Sequence, residues 1–588
     1  VRDYGNRMGI PTLNGTVIFD PRYMGNPLVF CGCIGLMPRD CIAKRANPGD
    51  LVVVAGGRTG RDGIHGATFS SAELTDSHAD EFSHAVQIGN AITEKKVLDV
   101  QLQARDHASG CLYTAVTDCG AGGLSSAVGE MGAEIGATVD LEKVPLKYAG
   151  LRYDEIWISE AQERMTFSVP PANWPTLKAL CEAEDVEATV IGTFTDTGRL
   201  VLRYEGTLVG DIPMDFLHNG VPRTRKTATW HAPAKPAAKP KSDGDCVARL
   251  KARLAELNTA SKEWIIRQYD HEVQGGSVVK PLVGPHHGPS DAAVIRPRLD
   301  STRGIAIGCG LAPHLADIDP YWMAATGIDE AIRNVVCVGG DPAQTAILDN
   351  FCWGNCEDAA VFGALVRACQ GCYDAAKTYR VPFISGKDSL NNEFSLDPRD
   401  AERLRPYLEA RAIRLVNNRL RIPETLLISA ISIIDDTDQC ATSDAKAGET
   451  RFWLLGVETR DGVAYSLADA AELHRDVYRL IRSGDVLAAH DVGEEGVAVA
   501  LAEMAIGGAC NVQLQTGSKS LLTDPFAPWA SGYVLQTAGG MTPQSRFVVG
   551  EIGRGSGSAP ETFSFAGACS GSIAIKELRE AWRRPLRW

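Results

Sequence analysis

The chain has 588 residues, a formal net charge of -14 and a pI near 5.4, with 44% hydrophobic and 22% charged residues. That length exceeds a single hydrophobic core and implies roughly three to five domains. The acidic surface argues against a nucleic-acid partner, and no apolar run reaches the ~18 residues of a membrane span.

In chain order, residues 28–36 form an apolar run that reads as a buried strand. Residues 50–55 read as a strand running into glycines, and residues 87–104 carry apolar side chains at helical spacing. Val116 leads through Asp118 and a glycine turn into a helix over residues 124–135. Strand, glycine turn and helix in that order are how α/β proteins build phosphate sites. Residues 156–158 read as a strand ending in Ser159-Glu-Ala-Gln-Glu-Arg164. Residues 232–242 are rich in Pro, Ala and Lys, a semi-extended linker. Residues 359–376 predict an apolar helix, and residues 426–434 predict a strand equivalent to 28–36. The 16 cysteines lie in apolar or glycine-rich surroundings. Cys352, Cys356, Cys369 and Cys372 could be read as metal ligands, but no matching His/Cys pair follows at zinc spacing. A reduced cytoplasmic protein with buried thiols is the expectation.

Two segments repeat. Asp118-Cys-Gly-Ala-Gly-Gly-Leu-Ser-Ser-Ala-Val-Gly-Glu-Met131 matches Asp491-Val-Gly-Glu-Glu-Gly-Val-Ala-Val-Ala-Leu-Ala-Glu-Met504 at an offset of 373 residues. Ile10-Pro-Thr-Leu-Asn-Gly15 matches Val381-Pro-Phe-Ile-Ser-Gly386 more weakly, at an offset of 371. Two matches at nearly one offset indicate a tandem duplication. The second copy has a long stretch before Val381 whose counterpart would fall ahead of residue 1, so the first copy is expected to lack on the order of 120 residues.

The densest motif is Gly56-Gly-Arg-Thr-Gly-Arg-Asp-Gly-Ile-His-Gly66. Its candidates for contacting phosphate are Gly57, Arg58, Gly60, Arg61, Gly63, His65 and Gly66. Glycines let backbone N–H groups approach an anion, and arginine binds phosphate through two bonds. A tight turn between strands is the alternative reading. Asp118 sits where a carboxylate could hold Mg²⁺ beside a helix N-terminus, or cap that helix. Taken alone, the Ser159–Arg164 run reads as a solvated strand end in preference to ligand contacts. Asp349-Asn-Phe-Cys-Trp-Gly, Ser385-Gly-Lys-Asp-Ser-Leu-Asn-Asn-Glu393 and Tyr269-Asp-His-Glu-Val-Gln-Gly-Gly276 are further polar clusters. No Ser or Cys nucleophile stands with a matched base.

Together these residues resemble the synthetase-subunit family of phosphoribosylformylglycinamidine synthase, also called formylglycinamide ribonucleotide amidotransferase. Tyr4-Gly-Asn, Gly9-Ile-Pro, Asn26-Pro-Leu-Val, the glycine motif through Phe69, Val86-Gln-Ile-Gly, Asp118 with its glycines, Ser159 to Met165, Tyr269 to Gly275 and Ser385 to Glu393 occur in the family's order. They cover nearly the whole chain; residues 517–559 show the least resemblance. The resemblance implies an α/β (α+β) fold: a tandem-duplicated aminoimidazole-ribonucleotide-synthetase-like unit, each copy having an N-terminal-type and a C-terminal-type domain. The expected divisions are 1–40 (remnant of the first N-terminal-type domain), 41–215 (first C-terminal-type), 216–248 (linker), 249–442 (second N-terminal-type) and 443–588 (second C-terminal-type).

The same resemblance implies a purine-biosynthesis ligase. Formylglycinamide ribonucleotide, ATP and ammonia would give the amidine, ADP and phosphate through an iminophosphate. Mg²⁺ would be the metal, with a glutaminase subunit and a small accessory subunit as partners. Gln87, Glu160, Ala161, Gln162 and Ser389 resemble substrate contacts, Asp349 and Gly386 ATP contacts, and Asp118 a Mg²⁺ ligand. The family's triplet is usually Glu-Ser-Gln, so Ala161 removes a hydroxyl. Lys387 stands where the family often has a metal-binding Asn; an ammonium cannot ligate Mg²⁺ but could replace its charge. The family's Trp-Ser-Glu-His-Cys segment, bearing its catalytic His, and its Ser-His-Asn-His-Pro segment do not occur here. No catalytic residue is therefore assigned, and the polypeptide is expected to be inactive alone. The alternative is a non-catalytic nucleotide-binding remnant. Single-unit relatives such as aminoimidazole-ribonucleotide synthetase, thiamine-monophosphate kinase or selenophosphate synthetase are disfavoured by the duplication.

Overall fold

The computed structural model describes residues 2–64, 74–75, 89–232, 245–459, 463–508, 510–517, 522, 524–557 and 561–587. After helix α1 (Arg2–Met8) comes an irregular stretch, then a seven-stranded sheet. Its strands are β1 (Leu51–Gly56), β2 (Ala115–Asp118), β3 (Ala137–Asp140), β4 (Arg164–Val169), β5 (Ala188–Phe194), β6 (Arg199–Tyr204) and β7 (Thr207–Pro213), ordered β2-β4-β1-β5-β3-β6-β7. Both faces of β1 are covered, which explains its unbroken apolar run. Val52 and Val54 pack with helices α3 (Leu124–Met131) and α4 (Tyr153–Ile158). Val53 and Ala55 pack with α2 (Ala91–Arg105) and α5 (Trp174–Ala183). Each fully buried valine of this kind stabilises the sheet by about 1.5–3 kcal/mol. Helix α6 (Met214–Asn219) follows β7.

Helix α7 (Cys246–Leu254) opens the second half. A six-stranded sheet comprises β8 (Ser277–Val279), β9 (Ala293–Ile295), β10 (Gly304–Gly310), β11 (Thr345–Cys352), β12 (Phe383–Ser389) and β13 (Thr425–Ile434), ordered β12-β11-β13-β10-β9-β8. It packs on helices α8 (Pro320–Cys337) and α9 (Ala359–Tyr379). The last sheet holds β14 (Thr450–Val457), β15 (Val486–Asp491), β16 (Asn511–Thr516), β17 (Ser531–Ala538), β18 (Val548–Ser556), β19 (Thr562–Gly567) and β20 (Gly571–Ala574). Helix α10 (Leu467–Arg482) joins the core of the six-stranded domain, whereas α11 (Val497–Gly507) and α12 (Ile575–Arg583) cover the other face.

The order of this last sheet is β15-β17-β14-β18-β16-β19-β20. It repeats the first sheet strand for strand. The parallel pair also recurs at the same place, β3 with β6 and β16 with β19, while the other pairs are antiparallel. The start and end of the second repeat meet: the Trp582 indole N–H donates to the Thr259 carbonyl at 2.9 Å, and the Ser261 N–H donates to the Trp582 carbonyl at 3.0 Å.

Three local expectations are corrected. Residues 28–36 are not a strand but an irregular stretch with Val29, Ile34 and Leu36 exposed. Their expected equivalent, β13, is a strand because β10 and β11 pair with it on both sides; an apolar run does not report whether such neighbours exist. Residues 156–158 end a helix rather than a strand. The Glu155 carboxylate accepts the Arg152 N–H at 2.8 Å, satisfying a first-turn donor of α4. Finally, the thiols are not all free. Cys246 at the start of α7 and Cys569 between β19 and β20 form a disulfide with Cα atoms 6.3 Å apart.

Candidate active site

Asp118 ends β2 and is exposed, six residues before α3. It does not cap that helix: Gly123 occupies the cap position, and the Asp118 carboxylate accepts the Gly120 N–H at 2.9 Å. Gly123 has φ of 57° and lies so close to the Ser159 carbonyl that a Cβ would sit 1.9 Å from it. Only glycine permits that approach, which presses the Asp118 turn against the Ser159–Glu163 segment. Across that contact the Gly122 N–H donates to the Glu160 carboxylate at 3.4 Å.

The glycine motif joins the same cluster. The Gly57 N–H donates to the Glu163 carbonyl at 2.8 Å, and the Glu160 N–H donates to the Asp62 carbonyl at 2.9 Å. Beneath them lies Arg164, 3% exposed. Its guanidinium donates to the Ala161 carbonyl at 2.9 Å, to the Thr59 hydroxyl at 2.8 Å and to the Ser159 carbonyl. One buried cation thus ties the glycine loop to the Glu160-Ala161-Gln162 triplet. Gln162 donates to the Glu160 carbonyl at 2.8 Å, and Ala161 is buried.

The arginines of the motif are differently engaged from the phosphate-binding role expected. Arg58 pairs with Glu187 at 2.7 Å and Arg61 with Glu155 at 2.9 Å. Gly60 packs beside Asp62, which is itself paired with Lys147 at 2.8 Å, and Gly63 takes φ of 65°. His65, Gly66 and Gln87 lie outside the described residues.

Two acidic residues were given no role of their own from sequence: Glu94, and Glu163 within the Ser159–Arg164 run. Glu163, at φ of 59°, accepts the Tyr4 hydroxyl at 3.0 Å and the Asn90 N–H at 2.7 Å. Burial holds its carboxyl above the ordinary value, against those donors. Glu94 on α2 is raised by burial and then by the charges of Glu163 and Asp118. Like charges nearby therefore act on Glu94, while the Lys147 charge lowers the Glu163 carboxyl. Oxygen donors of this kind suit a hard divalent ion such as Mg²⁺. The signal in the sequence was slight, since Glu94 and Glu163 are far apart along the chain.

A second group lies on the six-stranded sheet. β11 and β12 run parallel, setting Asp349 opposite Gly386, Asn350 opposite Lys387 and Cys352 opposite Ser389. A Cβ on Gly386 would stand 2.5 Å from the Asp349 carboxylate. Burial raises the Asp349 carboxyl, with the Lys387 backbone N–H opposing and Asp388 adding. Lys387 is exposed and Ser389 is buried.

The chain stitches the two groups toward one another. Leu74–Thr75, downstream of the glycine motif, pairs in parallel with the strand Glu393–Ser395, a few residues beyond Ser389. From α1, Tyr4 reaches Glu163, while Asn6 donates to the Gln268 carbonyl at 3.0 Å and Thr12 N–H to the Asp270 carbonyl at 2.9 Å. The Gln274 side chain donates to the Gly9 carbonyl at 2.9 Å. The polar run at 269–276 is therefore a clasp between the halves, with the His271 ring turned to its neighbouring Tyr269 carbonyl.

The second repeat has its own version of the Asp118 position, and its partners are built in. Asp491 ends β15 and accepts from the Arg333 guanidinium at 3.2 Å. Arg333, 1% exposed, also pairs with Asp329, which the Tyr379, His474 and Ser531 side chains contact at 2.9, 3.0 and 3.1 Å. Among the described residues, Asp291, His490 and Asp491 are a group with ligand atoms within 4.8 Å of one another. Burial opposes a charged His490 ring, yet Asp291 and Glu503 raise it well above its ordinary value. Arg333 and His490 thus already supply positive charge there.

Comparison with known proteins agrees with this architecture. The family model of the AIR synthase related protein C-terminal domain matches residues 47–205 and again 449–541, and that of the N-terminal domain matches 289–398. Phosphoribosylformylglycinamidine synthase subunit PurL of Picrophilus torridus is 33% identical over 563 residues, covering 91% of this chain and 71% of that protein. The PurL subunit of Methanothermobacter thermautotrophicus is 36% identical over 516 residues, covering 86% and 68%. The solved structure of Thermotoga maritima PurL complexed with FGAR superposes with a TM-score of 0.68 at 23% identity, covering 94% of this chain and 80% of that one, a likeness of fold. Strand order repeated in two sheets, synthase domains matched in both halves and this identity across more than two thirds of the relatives' length lead to one conclusion: the chain belongs to the PurL family of phosphoribosylformylglycinamidine synthase subunits.

Proposed function

We propose that this chain carries out the ATP-dependent conversion of formylglycinamide ribonucleotide to formylglycinamidine ribonucleotide in purine biosynthesis. The observation that carries this reading is the 33% identity over 563 residues to a PurL subunit. In the reaction, the formyl amide oxygen attacks the γ-phosphorus of ATP and ADP leaves. Ammonia adds to the activated carbon, and phosphate departs with the former amide oxygen. The chemistry is positioning and charge stabilisation rather than covalent catalysis by the protein.

Asp118, with Glu94 and Glu163 beside it, would hold Mg²⁺, whose charge offsets that of the phosphates. Glu160 and Gln162 would orient the substrate's polar groups, with Arg164 fixing the segment that carries them; Ala161 leaves that contact without a hydroxyl. Gln87 and Ser389 would complete the substrate contacts. Asp349 and Gly386 would meet ATP, the bare glycine letting the nucleotide approach the backbone. Backbone N–H groups of Gly60, Gly63 and Gly66 are candidates for phosphate contact, together with His65; the Gly57 N–H would have to leave the Glu163 carbonyl, and Arg58 and Arg61 their carboxylate partners, to join them. Lys387 would stand in for a cation. Exchanging it for Asn should make ATP binding more dependent on Mg²⁺, and an unchanged dependence would remove this role.

A glutaminase subunit would supply ammonia and a small accessory subunit would join the complex, in the cytoplasm. Among the described residues, no helix is long and apolar enough to cross a membrane. The test uses the purified chain with formylglycinamide ribonucleotide, ATP, Mg²⁺ and an ammonium salt, so that no glutaminase is needed. ADP formation that depends on the ribonucleotide supports the assignment. ATP binding with no such turnover overturns it in favour of a nucleotide-binding remnant.

A further inference from the structure

The charge of the chain is unevenly placed. Against a net charge of -14, residues 399–421 hold seven arginines and only three carboxylates. This stretch leaves the strand Glu393–Ser395 and returns as the strand Arg419–Arg421, which pairs with it antiparallel, Glu393 opposite Arg421 and Ser395 opposite Arg419.

The foot of this hairpin stands at the second group of candidate residues. Glu393 comes four residues after Ser389, the last residue of β12. The Arg421 stem lies on Gly354, just beyond β11, so closely that a Cβ there would be 2.2 Å from it. The Asn355 N–H donates to the Glu393 carboxylate at 3.1 Å. On the other edge, Phe394 and Ser395 pair with Leu74 and Thr75, downstream of the glycine motif.

Between the two strands runs the helix Pro398–Glu409. The Asp397 carboxylate caps it, accepting the Arg399 N–H at 2.8 Å, and Ala401 and Leu408 bury its inner side. Arg399, Arg403 and Arg405 are exposed. Arg399 and Arg403 stand one turn apart. Tyr407 and Arg411 follow at the same spacing, with the Arg411 guanidinium 3.7 Å from the centre of the Tyr407 ring. Arg403 meets Asp400 at 3.1 Å, yet its side chain stays 75% exposed, where such a pair neutralises little.

Nucleotides are polyanions, and a molecule of this net charge repels them at long range. Positive charge beside a site reverses that field locally, over about 8–10 Å at ordinary ionic strength. We propose that the arginine hairpin steers ATP toward Asp349 and Gly386, raising its rate of arrival without holding it once bound. The inference rests on the reading of those two residues as ATP contacts.

The test is stopped-flow mixing of the full chain with ATP carrying a fluorescent N-methylanthraniloyl group, at fixed Mg²⁺ and over a range of NaCl. At low ionic strength, Arg399→Gln, Arg403→Gln and Arg405→Gln together should slow association about threefold or more. Arg399→Glu, Arg403→Glu and Arg405→Glu together should slow it further. Both residue types have helix propensities close to that of arginine, so the helix is kept. Dissociation should stay that of the parent, and the difference should vanish at high salt. Removing the same charge elsewhere, with the exposed Lys576, Arg584 and Arg587 all changed to Gln, should slow association much less. Equal slowing by that control would assign the effect to net charge and overturn the proposal. Unchanged association, a change confined to dissociation, or a difference that persists at high salt would overturn it as well. No binding by the parent chain would instead sink the ATP reading of Asp349 and Gly386, and the steering with it.

Discussion

Asp118 and Asp491 end corresponding strands of two sheets with the same strand order, yet their surroundings are opposite. Asp118 is exposed, its charge reaches Glu94, and its carboxylate accepts the Gly120 N–H of the glycine turn. Asp491 is bound to a buried guanidinium and flanked by a positively charged His490. A duplicated fold can therefore keep a carboxylate in one place while changing its task. In the first repeat the carboxylate stays exposed; in the second the protein neutralises it and gains a domain contact, since Arg333 sits on the six-stranded domain and Asp491 on the seven-stranded one.

The comparison can be broken most forcefully at Arg333. Replacing it by Met strands Asp329 and Asp491 as buried charges, and loss of one partner of such a pair costs about 3–5 kcal/mol. Denaturant unfolding should show that loss with or without Mg²⁺; a stability loss that Mg²⁺ reverses would mean the second site still takes a metal. Asp118→Asn should do the reverse. Unfolding should stay within about 0.5 kcal/mol of the parent, as for an exposed residue, while ribonucleotide-dependent ADP formation falls roughly 10²-fold or more. Equal effects of the two substitutions on stability and turnover would erase the distinction.

A smaller effect follows from Glu330, which lies beside this network and accepts the Leu311 N–H at 2.9 Å. Burial first, and then the Asp491 charge, pushes its carboxyl up to about 7. An acid raised in the folded state stabilises the fold below its unfolded value near 4.5 and loses that contribution as pH rises to about 7. Because the side chain keeps some solvent contact, about 2 kcal/mol is expected over that window. Glu330→Gln should flatten this part of the stability profile, and an unchanged profile would remove Glu330 from the network. The smallest change is Arg164→Lys, which keeps the charge but gives up part of the fork that reaches Thr59, Ala161 and Ser159. A loss of about 1–2 kcal/mol with a raised KM for the ribonucleotide is expected; unaltered KM would leave Arg164 a purely structural residue.

What was legible in the sequence depended on how local its cause was. β1 was legible because a strand covered on both faces reads as an unbroken apolar run, and β13 because its apolar run is paired on both sides by β10 and β11. The Asp118 turn was legible because its glycines are required by the close approach of Ser159. Residues 28–36 carry the same kind of run without paired neighbours, so the same reasoning failed there. The pairing of Arg58 with Glu187 and Arg61 with Glu155, the Cys246–Cys569 disulfide and the Asp329–Arg333–His474–Asp491 network all join residues distant in sequence, and no spacing rule announces them. The strand order of the repeated sheets was likewise invisible, although the offset of 373 residues already implied two copies.

The meeting of Trp582 with Thr259 and Ser261 means that the chain enters and leaves the second repeat at one spot on its surface. A module with adjacent doorways can be inserted into a gene behind an existing copy without rerouting either copy's path. The same geometry makes the second repeat a candidate for circular permutation. A short bridge from Arg587 back to Asp245 would let new ends be opened at an exposed turn elsewhere, leaving every strand neighbour in place.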